Sequence, residues 1–207
     1  RLRRVVEDLK ETAWRVLDCP NDIDALRGLE GQAASVYFSA FNDLIRNPDP
    51  TFRFSTRTRR PPRDPVNALL SFLYALLRHD VQSALETVGL DPYVGFLHTD
   101  RPGRPSLALD LMEELRPYLA DRLVLTLINR KQVTPKDFVS SETGGVALTS
   151  EARKKVLDAW QKRKREAIEH PFLNEKIEIG LIPHVQALLL ARYVRGDLDG
   201  YPPFIWR

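Results

Sequence analysis

One histidine and a cluster of acids sit close together in the stretch LDPYVGFLHTDRPGRPSLALDLMEELRP, residues 90–117. His98 falls in a segment rich in turn-forming Pro and Gly. Asp110, Glu113 and Glu114 follow in an apolar run that Ser106 is placed to cap, which predicts a helix from Leu107 to Leu115. Residues three and four apart on a helix share a face, so these acids are expected to project from one side. An imidazole beside carboxylates is donor chemistry for a divalent metal, provided another part of the chain adds a further ligand. The ordinary alternatives are a hydrogen-bonded loop histidine and a solvated acidic helix face. Against the second, Leu107, Leu109, Leu111, Met112 and Leu115 leave little polar face to spare. Crowded acids also repel unless a cation lies among them, and Arg116 is a local candidate for that cation. His79, His170 and His184 have no acidic company and read as surface or helix-end residues.

A second acid stands out in RGLEGQAASVYF, where Gly28 and Gly31 flank Glu30 inside a predicted helix. Glycine costs about 1 kcal/mol relative to alanine in a helix interior. Two of them around one acid suggest a pocket, or a close approach to the backbone, rather than an exposed helix acid. Arg53, Arg57, Arg59, Arg60 and Arg63 crowd a Pro-rich loop with few acids, which favours an anionic partner. A later basic run, Arg153 to Lys155 and Lys162 to Arg165, reads equally well as a solvated helix face.

The elements that must position these residues follow from periodicity and caps. Apolar spacing predicts helices over residues 2–17 and from Asp22 (or Asn21) to about Arg46. Cys19, Pro20 and Asn21 separate them. Asp64-Pro65 starts the most apolar helix, which runs to Gly89 and is the expected centre of the core. Pro117 breaks or kinks the chain before a helix over 118–129. Residues 138–148, with SSETGG between apolar ends, read as a small hairpin. A charged helix is expected from Thr149 or Ser150 to about Glu169. A last one runs from Asn174 to Gly196, kinked at Pro183. The aromatic tail DLDGYPPFIWR is expected to pack on the body.

Composition sets the outer bounds. The chain has 207 residues, 43% hydrophobic, with a net charge of +3 and one cysteine. That is globular, admits no internal disulfide, and fits a reducing cytoplasm. No apolar run is long enough to span a bilayer, and the charged start does not read as a secretory signal. Without an initiator Met, and with a helix already under way, the sequence reads as the C-terminal part of something longer.

Four blocks, RGLEGQAASVYF, DPVNALLSFLYALL, GLDPYVGFLH and SLALDLMEELRP, resemble the CRISPR-associated spacer-acquisition integrases, the Cas1 family, in that family's order and spacing. SSETGGVALTSEARKKV and the PFIWR end resemble the type I-C subtype. The resemblance implies an all-α catalytic domain over residues 1–207 with at most a small β-hairpin. The resemblance also implies that the family's N-terminal β-rich domain, which mediates dimerisation, is expected to lie outside this sequence. It also implies a metal-dependent DNA endonuclease and integrase in which a 3′-hydroxyl of incoming DNA attacks a repeat phosphodiester. Carried over by motif, Glu30, His98 and Glu113 are the metal ligands and catalytic residues, with Asp110 a further acid beside them. The mixed His/carboxylate set favours Mn²⁺ over strict Mg²⁺. Arg57, Arg59, Arg60 and Arg63 would hold the DNA backbone. The implied partners are double-stranded DNA, a second copy of the intact protein, Cas2 and a Cas4 nuclease, in a prokaryotic cytoplasm. Asn67 and Tyr74 lie in a family block, but packing and core hydrogen bonding explain them better. Two other classes fit the bare residues: a non-catalytic helical DNA-binding scaffold, which needs no metal, and a phosphohydrolase for small esters, which has little use for an arginine-rich loop.

Overall fold

The computed structural model describes residues 1–19, 22–99 and 101–206. Pro20 and Asn21, expected at the first helix junction, lie outside them. The described elements are α1 (Leu2–Leu17), α2 (Ile23–Phe41), α3 (Pro65–Thr87), α4 (Ser106–Glu113), α5 (Arg122–Asn129), β1 (Phe138–Ser140), β2 (Val146–Leu148), α6 (Ser150–Lys164), β3 (Ala167–Glu169), β4 (Lys176–Glu178) and α7 (Ile182–Val194). The fold is mostly helical, with two antiparallel hairpins, β1–β2 and β3–β4.

α3 is the centre of the core because it is apolar nearly all round. Val66, Leu69, Leu70, Leu73, Leu77, Val81 and Leu85 are wholly buried, and α4, α5 and α7 pack against this helix. Replacing one of these leucines by Ala would cost about 2–5 kcal/mol. The Asp64 side chain caps α3 by accepting from Asn67 N, Pro65 occupies the first turn, and Gly89 leaves the helix at φ +82°. Asp22 caps α2 by accepting from Asp24 N and Ala25 N. Phe38, Phe41 and Phe54 pack together with centroids 5.3–6.0 Å apart, joining α2 to the arginine-rich loop. The tail packs on the body as expected: Phe204 is buried, and the Trp206 ring lies 4.8 Å from that of Tyr118.

The structure corrects the expected layout in four places. The charged helix ends at Lys164, not near Glu169, and residues 167–178 form a second hairpin where helix was expected. Asn174 does not open a helix; its φ of +56° places it in the left-handed region, within the turn of that hairpin. Pro183 sits in the first turn of α7, where its missing N–H costs nothing, and does not kink the helix. His170, expected near the surface, is fully buried, with Nε2 3.0 Å from Gln186 Oε1 and Nδ1 accepting from Phe172 N and Leu173 N.

Between α4 and α5, Pro117–Asp121 forms a wide π-helical turn, a feature frequent at functional sites. It carries Asp121 into the interior, 2% exposed. There Tyr74 and Tyr37 hydroxyls donate to its two oxygens at 2.7 and 2.8 Å. Burial raises its pKa from 3.8 to about 6, against the lowering effect of the two tyrosines and of Arg116 and Arg57. Between those two pH values the folded chain holds a proton that the unfolded chain has released. The associated stability is therefore complete below pH 3.8 and lost as pH rises through about 6. It is worth on the order of 3 kcal/mol. Thermal melts of wild type and Asp121→Asn should show the wild type's relative stability falling between pH 4 and pH 7. His170 and Glu114 titrate in both proteins, so the difference isolates Asp121. A constant difference across that range would refute the assignment.

Candidate metal centre and nucleic-acid cleft

Glu30 from α2, His98 from the segment that follows α3 and Glu113 from the end of α4 line one open cleft of about 320 Å³. Arg57, Arg59, Arg60, Arg78, Arg104 and Arg116 share its walls with Tyr74. Acids and arginines far apart in sequence are thus brought to one cleft.

α4 organises the histidine. Asp110 Oδ2 accepts from Phe96 N at 2.6 Å and Leu97 N at 3.0 Å. Its Oδ1 accepts from His98 N at 3.0 Å and lies 2.5 Å from His98 Nδ1. One carboxylate therefore folds the loop and fixes the ring. With Nδ1 donating to Asp110, Nε2 is the nitrogen left with a free lone pair. A carboxylate behind the ring is the usual support of a metal-binding histidine. Close packing of the loop on α4 requires Gly95: a Cβ there would stand 2.7 Å from Ser106 Cβ and 2.9 Å from Asp110 Oδ2. Ser106 does not cap α4, because its hydroxyl donates to Thr99 O instead.

The shared acidic face expected over residues 110–114 is shorter than its spacing suggested. α4 ends at Glu113, and Glu114 turns away from the cleft. Glu114 accepts from Gln186 Nε2 at 3.0 Å, Tyr201 OH at 2.5 Å and Phe204 N at 2.7 Å. Burial raises its pKa, opposed by those three donors. Its role is to bind the tail.

Glu113 is ion-paired with Arg116. With His98 Nδ1 also engaged, no three His, Cys, Asp or Glu side chains among the described residues are gathered as a ready metal cage. The donor chemistry still fits a divalent ion. The cleft offers two carboxylates and one imidazole nitrogen whose tautomer is fixed from behind, a set borderline between hard and soft. No side chain stands within 4 Å of a Cβ built on Gly28 or Gly31, so the close approach these glycines suggested does not come from the described residues.

The arginine loop divides its labour. Arg57 faces inward. Its Nη1 donates to Thr58 O and Asn67 Oδ1, its Nη2 to Ser71 Oγ, and its guanidinium lies 5.4 Å from the Tyr74 ring centroid. Asn67, wholly buried, also donates to Thr56 O and Asp64 Oδ2, so it ties the loop to α3. This is the packing role the sequence favoured for it. Arg63 is exposed and donates to Thr143 O. Arg59 and Arg60 are exposed on the cleft rim. Arg78 and Arg104 also line the cleft and were missed in sequence, since neither belongs to a basic run as dense as that of residues 53–63. Asp121 was missed too; its one signal is an acid inside the apolar run YLADRLVL.

The family model described as "CRISPR associated protein Cas1" matches residues 1–162. The chain belongs to the Cas1 family. It is 60% identical over 193 residues to "CRISPR-associated endonuclease Cas1 1" of Chlorobaculum tepidum, covering 93% of this chain and 56% of that protein. Among solved structures, it superposes on a Cas1 protein from Thermotoga maritima with a TM-score of 0.81 at 30% identity, covering 92% of this chain and 57% of that one. It also matches a chain of a Cas6-RT-Cas1–Cas2 complex with a TM-score of 0.83 at 28% identity, covering 99% of this chain and 22% of that one. The chain thus spans little more than half the length of the Chlorobaculum relative. No described helix is long and apolar enough to cross a membrane.

Proposed function

We propose that this chain is the metal-dependent catalytic domain of a Cas1 integrase of type I-C, corresponding to the C-terminal helical part of the intact protein. Its reaction is phosphodiester transfer: a DNA 3′-hydroxyl attacks a repeat phosphodiester, or water attacks in its place to give endonuclease cleavage. The observation that carries the reading is the cleft that Glu30, His98 and Glu113 line together with six arginines. A scaffold has no use for that donor set, and an enzyme for small esters has no use for so many arginines around it.

Mn²⁺ or Mg²⁺ would be held by Glu30, Glu113 and His98 Nε2, and when bound would polarise the scissile phosphate and stabilise charge on the attacking and leaving oxygens. This chain's own contributions are separate. Asp110 keeps the proton on His98 Nδ1 and aims the ring. Arg59, Arg60, Arg78 and Arg104 draw the sugar-phosphate backbone across the cleft without reading bases. Arg57 braces Tyr74 and the loop from inside, and Arg63 adds a peripheral phosphate contact. The partners that follow are double-stranded DNA, a second copy of the intact protein, Cas2 and a Cas4 nuclease, in a prokaryotic cytoplasm. Cas2 assembly is supported by the likeness to a chain of a Cas1–Cas2 complex.

A strand-transfer assay tests the reaction. A labelled duplex with a free 3′-hydroxyl, incubated with repeat DNA and Mn²⁺, should give joined product. The same duplex ending in a dideoxynucleotide should give none, although water-driven cleavage persists. Joining without added metal, or joining from the dideoxy end, would overturn the assignment.

A further inference from the structure

Arg116, the local cation the sequence offered for the crowded acids, has no part yet in the proposed reaction. It leaves the end of α4 one turn after Glu113, and its guanidinium is ion-paired with that carboxylate. Its side chain is only 18% exposed, so it is not a solvated surface cation. The guanidinium lies 5.3 Å from the centroid of Tyr74, the ring that carries Arg57. Asp121 fixes the Tyr74 hydroxyl, so the platform under Arg116 is rigid. Burial lowers the Arg116 pKa, and the nearby carboxylates of Asp121 and Glu30 counteract this. Arg116 therefore feels Glu30 from α2 as well as Glu113 from α4. It also lines a second crevice of about 230 Å³ beside the main cleft, together with Glu30, Tyr74, Glu113 and Asp121.

Two carboxylates drawn toward one point repel unless a cation lies with them. Arg116 is that cation. We propose that Arg116 is a positioning residue of the metal centre, a built-in counter-ion that holds Glu113 in place, competes with the divalent ion for it, and turns its guanidinium to a DNA phosphate when the ion takes the carboxylate. This rests on the reading of Glu113 as a ligand. A guanidinium stays protonated at any working pH, so it can yield Glu113 only by moving. The guanidinium already lines the cleft beside the Tyr74 ring, and a phosphate there offers the same bidentate fit as a carboxylate.

The competition predicts that removing Arg116 tightens metal binding while slowing the reaction, a combination that simple structural damage does not produce. Mn²⁺ is titrated calorimetrically into the 207-residue chain as wild type, Arg116→Gln, Arg116→Met and Glu113→Gln, with a thermal melt of each. Arg116→Gln or Arg116→Met, whichever melts cooperatively, should bind Mn²⁺ about tenfold more tightly than wild type. In strand transfer it should need less Mn²⁺ for half-maximal rate yet reach a lower maximum. Glu113→Gln should lose binding. Equal or weaker binding in the Arg116 variants, with binding lost in Glu113→Gln, overturns the role of Arg116 but leaves the metal centre standing. Unchanged binding in Glu113→Gln overturns the metal reading itself. A further measurement needs no variant. In wild type, the Arg116 Nε–H resonance should shift as diamagnetic Mg²⁺ is added, and a resonance that stays fixed through saturation overturns the proposal.

Discussion

Glu30→Gln, His98→Ala and Glu113→Gln should each reduce metal-dependent cleavage and strand transfer by more than the roughly 10–100-fold that loss of an outer-shell partner costs. Each change removes a donor from one cleft, and residues of one centre act as a unit. The double variant His98→Ala with Glu113→Gln should accordingly be scarcely worse than either single one. Stability should change little. Glu30 is exposed, Glu113 and His98 are half-buried, and none belongs to the apolar core. Measured rates beside thermal melts separate this from a structural account, in which loss of activity follows loss of melting temperature. Multiplying penalties in the double variant would mean that the two residues act independently and do not share an ion.

Asp110 carries the second large effect, of a different kind. Asp110→Ala leaves the N–H groups of Phe96, Leu97 and His98 without their acceptor and frees the histidine ring. The cost to stability should be about 3 kcal/mol, since the Leu97 and His98 N–H groups are part-buried and each unsatisfied donor there is worth roughly 1–3 kcal/mol, whereas the exposed Phe96 N–H can turn to water. Asp110→Asn keeps an oxygen for the loop and should cost less. Its amide, however, can donate to the ring and so favours the tautomer with the proton on Nε2, the nitrogen needed as donor. Metal affinity in Asp110→Asn should therefore fall about 10–100-fold while the melting temperature falls less than in Asp110→Ala. Calorimetric titration and thermal melts of the two variants test this. Unchanged metal affinity in Asp110→Asn would show that the carboxylate serves only the loop.

Sequence made the scaffold legible where local and global signals agree. Asp64-Pro65 and Gly89 bound α3 as expected, because the cap, the first-turn proline and the left-handed glycine all act within a few residues of the chain. The β1–β2 hairpin was legible for the same reason, with polar turn residues between apolar ends. The second hairpin was not. Ala167-Ile168-Glu169 and Lys176-Ile177-Glu178 are three-residue strands built largely from helix-favouring types, and only their antiparallel pairing makes them strands. In the cleft, the convergence of Glu30 with His98 and Glu113 came from family resemblance, since spacing alone cannot bring α2 to α4. The divergence of Glu114 from Glu113 was invisible to periodicity, because it depends on where α4 stops and on a tail that arrives from residues 201–204. Arg57 read as a surface cation because sequence does not reveal that Asn67, Ser71 and Tyr74 surround it.

A crystal of this chain soaked in Mn²⁺, with anomalous scattering recorded at the manganese edge, tests the metal centre most directly. The account predicts one strong peak in the cleft, bonded to carboxylate oxygens of Glu30 and Glu113 and to Nε2 of His98, with Asp110 still on Nδ1 and Arg116 drawn off Glu113. A peak that excludes Glu30 or His98, or no peak in the cleft at saturating metal, would contradict it.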